Sequence, residues 1–367
     1  MPLQTTTNTD FTERLSAAVA KYARDDSGPG VPQVAVRAER LGIDARVGDP
    51  AGRFHVASVG KLFTATVAMQ LAERGDLDLD APLTTLLPAD ELAGLFTSDG
   101  TDHAAEAAPR QLLAHTSGVA DYFEDRVADG PRLNRLLVDE PDRSWAPADL
   151  LAVTRERQHP VARPGATFHY SDTGYVLLGR ILEERTGTAF HDLLHERVFT
   201  PLGMDDTFLP YRSRAANDGP GPVDVDPGIL PVRLGRTDIA GFRSLTIDWA
   251  GGGVASTPDD LVAFSEALHG GRLVTPATLA TMTTMQHRFR PGIHYGTGMM
   301  QLRFGEFSPF LRRYPRPVGH TGILATHVFH DPVQDAHLVV NFGATTAMRR
   351  SVLAVIAIER MLRAAGR

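Results

Sequence analysis

Apolar residues recur along this chain at two spacings. Phe11, Leu15, Val19 and Tyr22 follow one another at helical intervals, which predicts a helix capped by Asp10 and running to about Asp25, where DDSGPGVP breaks it. Val34–Glu39 and Ile43–Val47 read as two short strands with Gly42 in the turn, a hairpin. A second turn at Asp49–Gly52 and an extended Phe54–Ala57 lead into Ser58. From Ser58 the pattern becomes helical, SVGKLFTATVAMQLAERG, with Gly75 as its stop. Before Gln70 this helix is apolar on almost every side, so it belongs in the middle of the fold. Further helices are predicted at Pro109–His115, Pro131–Leu137, Ala148–Arg157, Thr173–Thr186 and Phe190–Val198. After Gly251-Gly252-Gly253, a helix starts at Ser256 or Thr257, with Pro258 in its first turn and Asp259-Asp260 at its positive end. Tyr295–Leu302, Ala325–Asp331 and Ala336–Phe342 read as strands, and Met348–Leu362 as a final helix.

Strands and helices that open the chain therefore match strands and helices that close it, and the middle is mostly helical. The simplest arrangement is an α/β domain made from residues 1–75 and 240–367, with a mostly helical domain, 76–239, inserted between them. Residues 210–236 have no period and are rich in Gly, Pro and Asp. A loop that long is expected to serve as a lid or wall over a site, or to be a plain surface excursion.

Composition narrows the function by exclusion. The chain has 367 residues and a formal charge of −7, and its basic residues form no run, so nothing points to nucleic acid. It has no cysteine, which removes disulfides, thiolate catalysis and Cys-based metal sites. No apolar stretch reaches the roughly 18 residues of a membrane span. The start, MPLQTTTNTDFTERL, lacks a basic segment followed by an apolar one, so the expected location is cytoplasmic.

Three short motifs carry chemistry. Ser58-Val59-Gly60-Lys61 sets a hydroxyl and an amine one helical turn apart, on one face. A serine needs a partner to take its proton, and a lysine serves only when partly neutral. By itself this pattern is common. Tyr170-Ser171-Asp172 offers a phenol that relays a proton if a neighbouring lysine lowers its pKa. Asp172 is placed either to pair with Lys61 or to cap the helix that follows. His320-Thr321-Gly322 precedes a strand-like run, where an edge N–H can meet an oxyanion and Gly lets a substrate approach. Alone, it reads equally well as a turn with an exposed histidine.

In this order the motifs resemble the beta-lactamase-related serine hydrolases, in particular the branch of class C beta-lactamases, D-alanyl-D-alanine carboxypeptidases, D-aminopeptidases and esterases. Leu112-Leu113-Ala114-His115-Thr116-Ser117-Gly118, Phe199-Thr200-Pro201-Leu202-Gly203-Met204 and Ala250-Gly251-Gly252-Gly253-Val254-Ala255-Ser256-Thr257 resemble further segments of that family, so the likeness runs from about Gln33 to Phe342. It implies an antiparallel sheet flanked by helices plus a mostly helical domain, with the site between them. It also implies Ser58 as nucleophile, Lys61 as base and Tyr170 as proton shuttle. The backbone N–H groups of Ser58 and Ile323 would form the oxyanion hole. Asp172, His320, Thr321 and Gly322 would bind substrate, His320 and Thr321 where relatives hold a carboxylate. His115 is expected to be a buried, hydrogen-bonded structural residue. No metal or organic cofactor is implied, and the partner is a small ester, amide or short peptide.

Two departures bear on substrate. Asp172 stands where the family has Asn, an amide donor. His320 stands where true class C beta-lactamases have Lys, so its hold on a carboxylate would weaken above its pKa. The expectation is an intracellular esterase or D-amino-acid-type peptidase or amidase. The alternatives are a D,D-carboxypeptidase or beta-lactamase, an acyltransferase using the same acyl-enzyme, and a non-catalytic binding protein. Nothing in the sequence speaks to oligomeric state.

Overall fold

The computed structural model describes residues 7–23 and 31–366. Helix α1 spans Asn8–Tyr22, and its apolar stripe of Phe11, Leu15 and Val19 is buried. Its cap is Thr7 rather than Asp10: the Thr7 side chain accepts from the Asp10 N–H, and Asp10 lies in the first turn. The expected end at Asp25 falls outside the described residues. The hairpin forms as predicted, β1 over Gln33–Ala38 and β2 over Ile43–Val47, with Gly42 left-handed at φ 64°. The buried helix is α2, Lys61–Arg74, closed by left-handed Gly75. Helix α3 spans Asp172–Thr186 and α4 Pro258–His269.

Six more strands follow: β3 His287–Arg290, β4 Ile293–Tyr295, β5 Met300–Leu302, β6 Val318–Gly322, β7 Thr326–Asp331 and β8 Ala336–Asn341. Helix α5, Met348–Ala365, closes the chain. The eight strands form one sheet in the order β2-β1-β8-β7-β6-β5-β4-β3, antiparallel throughout.

Period-two alternation explains the layering. Val34, Val36, Phe329, Leu338 and Val340 point to one face, where α1 and α5 bury Leu15, Val355 and Ile358 against them. Ala35, Val328 and Val339 point to the other, where α2 and α4 contribute Leu62, Phe63 and Phe264. That second core continues without a break into the helical region, through Val176, Leu177 and Ile181 of α3. Every residue of α2 from Lys61 to Leu71 is buried, as its apolar pattern predicts.

Two expectations about strands change, and one open alternative is decided. The single strand Tyr295–Leu302 is two strands, because Gly298 turns the chain at φ 76° and brings its backbone against α2. A Cβ on Gly298 would lie 2.4 Å from that of Ala65. The edge strand β3 was not foreseen. Residues 210–236 form no lid over Ser58 in this structure. They run along the side of the fold, tied by the Leu230 N–H to Arg53 O at 2.7 Å and the Arg233 N–H to Gly343 O at 2.8 Å.

Candidate active site

Ser58 does not open an α-helix, as its sequence pattern predicts. It sits in a single tight turn, Ala57–Gly60, and α2 begins at Lys61. Ala57 holds a left-handed φ of 49° just before it, a conformation costly for a residue with a Cβ. Glycines crowd the turn. A Cβ on Gly60 would fall 2.8 Å from Gly252 Cα, one on Gly252 2.8 Å from Ala57 C, and one on Gly322 2.8 Å from Val56 O. Gly252 of the 251–253 run and Gly322 at the end of β6 thus both crowd the nucleophile turn.

Lys61 is 0% exposed, and its Nζ faces three acceptors. These are Ser58 Oγ at 3.3 Å, Gly251 O at 2.6 Å and Asp172 Oδ1, a close ion pair. An ammonium has three hydrogens and no lone pair. With three acceptors around it, the resting lysine is a donor at every position. The carbonyl of Gly251 had no sequence signal as a partner; a Cβ at Gly251 would come 2.9 Å from Asp172 Oδ1.

Asp172 reaches Lys61 because it is relieved of the capping role. Ser171 is the N-cap of α3: its Oγ accepts from the Gly174 N–H and donates to Ala120 O. The Asp172 N–H donates to Asp121 Oδ1 at 2.9 Å. Asp121 is buried, and burial first, then the charge of Asp172, pushes its carboxyl well above the usual range. Sequence reading missed Asp121, which carries no motif.

Tyr170 presents its hydroxyl beside Ser58. The hydroxyl is enclosed and makes no hydrogen bond of good geometry among the described residues. Burial, and then the negative charge of Asp172, raise this phenol well above its ordinary value; proximity to Ser58 opposes them. Lys61 Nζ lies 5.0 Å from the Tyr170 ring centroid and is paired with Asp172, and it is not among the causes that shift this phenol. The Tyr170 ring stacks on Phe289 with centroids 4.9 Å apart and meets His115 at a tilt, with centroids 4.1 Å apart. His115 is buried as expected, and burial, then the charge of Lys61, keeps its ring neutral; Nδ1 accepts from the Ser171 N–H at 3.1 Å, but Nε2 has no hydrogen-bond partner among the described residues.

His320 does not line the cleft. It is 0% exposed and turned into the protein. Its Nδ1–H donates to Thr321 O at 2.8 Å, which leaves Nε2 to accept from Tyr295 Oη at 3.3 Å. Tyr175 Oη stands 3.2 Å from Tyr295 Oη. Burial and the charge of Lys61 lower His320 to about 3, so it stays neutral and holds no substrate carboxylate. Thr321, on the opposite face of β6, does reach the cleft. Its Oγ1 lies 2.8 Å from His327 Nδ1; His327 Nε2 lies 2.7 Å from Ser351 Oγ, which donates to Met348 O. Read back from that carbonyl, the donors run one way. Ser351 spends its hydrogen on Met348, His327 gives Nε2–H to Ser351, and Thr321 gives its hydroxyl hydrogen to His327. Thr321 therefore shows the cleft an acceptor.

The cleft at Ser58 has a volume of about 120 Å³ and is bordered by Tyr170, Thr321, Gly322 and Ile323. Drug-sized ligands use pockets of roughly 300–1,000 Å³, so this one suits a small acyl group. Glu124, Phe289, Arg290, Ile293, Met300 and Met348 complete the wall, and sequence reading named none of them. Phe289 and Arg290 come from the edge strand β3 and Ile293 from its neighbour β4; Glu124 and Arg290 form a 3.7 Å ion pair at the rim.

The family model described as Beta-lactamase matches residues 17–358. The chain belongs to the beta-lactamase family. Within it, Penicillin-binding protein 4 of Amycolatopsis lactamdurans is 34% identical over 183 residues, 49% of this chain and 43% of that protein. The D-aminopeptidase of Gluconobacter oxydans (strain 621H) is 26% identical over 310 residues, 80% of this chain and 52% of that one. The chain spans about half the length of these curated relatives. A D-stereospecific amidohydrolase from Streptomyces sp. superposes with a TM-score of 0.73 at 28% identity, covering 94% of this chain and 97% of its own. The beta-lactamase-family fold, an antiparallel sheet with flanking helices, is shared across that length. No helix among the described residues is long and apolar enough to cross a membrane.

Proposed function

We propose that the chain is a serine hydrolase that forms an acyl-enzyme on Ser58 and acts on small amides or esters, amides of D-amino acids foremost. The observation that carries this reading is Ser58 at the mouth of a cleft with its Oγ 3.3 Å from the buried Lys61 Nζ. The likeness to a D-stereospecific amidohydrolase over nearly the whole chain supports the amide side.

The resting contacts support one order of proton moves. Lys61 first passes a proton to Asp172 across their close contact and becomes a neutral amine. The amine takes the Ser58 proton as Oγ attacks the acyl carbon. The oxyanion forms between the Ser58 and Ile323 N–H groups. Tyr170, held protonated, gives its hydrogen to the leaving group and is refilled from Lys61. Water then repeats the sequence in reverse and frees the acid. Asp172 in this scheme is a proton store, a task that Asn cannot perform.

The test is labelling by a serine-reactive fluorophosphonate, together with hydrolysis of p-nitrophenyl esters, D- and L-aminoacyl anilides and nitrocefin. Wild type is expected to label and to cleave at least one ester or D-aminoacyl substrate, and Ser58→Ala to lose both. Equal labelling of the two proteins would remove Ser58 as nucleophile.

A further inference from the structure

At the far end of β7 and β8 from Gly322 lies a histidine and aspartate group that the acyl chemistry does not use. His330 and His337 are a register pair across the two strands. Their rings stack with centroids 4.7 Å apart, and His269, the last residue of α4, stacks on His330 at 4.4 Å. Asp335 sits in the turn between the strands at a left-handed φ of 51°, with Oδ1 2.9 Å from His330 Nε2. One ligand atom from each of His330, Asp335 and His337 lies within 4.8 Å of the others.

We propose that His330, Asp335 and His337 bind a divalent transition ion, zinc foremost, which staples the β7–β8 hairpin at its turn. Two imidazoles and a carboxylate are a donor set that zinc accepts, with ligands at ~2.0–2.2 Å. Around a tetrahedral ion such ligands stand ~3.4 Å apart, so the present spread closes by small side-chain rotations. The surroundings are arranged for ligation. Ser265 Oγ lies 2.8 Å from His337 Nδ1; with the ring proton on that nitrogen, Nε2 keeps its lone pair outward. Arg40 Nε lies 3.3 Å from Asp335 Oδ2 and orients the carboxylate. On binding, His330 moves its proton from Nε2 to Nδ1 and the Asp335 hydrogen bond is exchanged for two bonds to the ion. His269 or water completes the coordination. His330 is four residues along β7 from Thr326, on the order of 14 Å, so the ion is remote from Ser58.

The experiment uses the whole chain without an affinity tag, stripped with chelator and titrated with zinc against a chromophoric competitor. Close to one equivalent is expected to bind. His330→Ala and His337→Ala should each weaken binding at least 100-fold, and Ser265→Ala about tenfold. Zinc should raise the melting temperature of wild type and of neither histidine variant, and Ser58→Ala should bind as wild type does. Should an alanine variant fail to fold, as judged by circular dichroism without metal, His330→Asn and His337→Gln replace it. Stoichiometry below a fifth of an equivalent, or undiminished affinity in both histidine variants, overturns the site.

Discussion

Replacing Asp172 by Asn changes one charge at the point where acylation starts. Lys61 is fully buried and Asp172 is its counter-ion, while Ser58 Oγ and Gly251 O are neutral acceptors. Removing one partner of a buried ion pair leaves the other charge uncompensated. Asn keeps a carbonyl oxygen for Lys61 but carries no charge. The melting temperature should fall, since breaking a buried pair costs ~3–5 kcal/mol and the surviving acceptors offset part of it. Asn also presents an N–H to an acyl amide carbonyl, so turnover of D-Ala-D-Ala or beta-lactam substrates should rise relative to esters. An unchanged melting temperature refutes the reasoning about the Lys61–Asp172 pair. An unchanged substrate ratio refutes the reasoning about the amide.

The remaining predictions concern the walls of the site. His320→Gln should leave the activity profile between pH 5 and 9 unchanged, because a histidine held at about 3 does not titrate there. Its lowered value makes it a source of stability that is present above the unfolded histidine value near ~6.5 and lost as pH falls toward 3; melting curves of the variant should therefore fall less steeply on acidification. Gly322→Ala should cut kcat/KM by about 100-fold or more with an intact fold by circular dichroism, since its Cβ would stand 2.8 Å from Val56 O and 3.3 Å from Ser58 N. Thr321→Val should leave His327 Nδ1 buried without a partner and cost ~1–3 kcal/mol in denaturant unfolding, whereas Thr321→Ser should restore most of it.

Much of the fold is written in periodicity. The hairpin of β1 and β2, the all-round apolar α2 and the C-terminal helix each declare themselves through residues spaced for one face or for none. The three strands at the β3 end of the sheet do not. In β3 each of the four residues is exposed or half-buried, and β4 and β5 are three residues each, divided by a glycine turn that only the proximity of Ala65 explains. The same division runs through the site. Ser58, Lys61, Tyr170 and Asp172 were legible because their spacing and type carry chemistry, and the structure gathers them at one point. The orientation of His320 was not legible: strand alternation sends it inward and Thr321 outward, and the register that decides this is fixed by β7. Asp121, Glu124 and the Gly251 carbonyl were invisible because their roles arise from distant segments folding together.

The three acceptors around Lys61 differ in what heredity can do with them. Gly251 offers its main chain, which no codon change can replace, and Ser58 cannot vary without ending the proposed reaction. Asp172 alone of the three is free to change. A lineage adjusting this lysine to a new substrate or a new working pH would have to do so through that position, so the residue at 172 should diverge in step with chemistry while its two companions stand still.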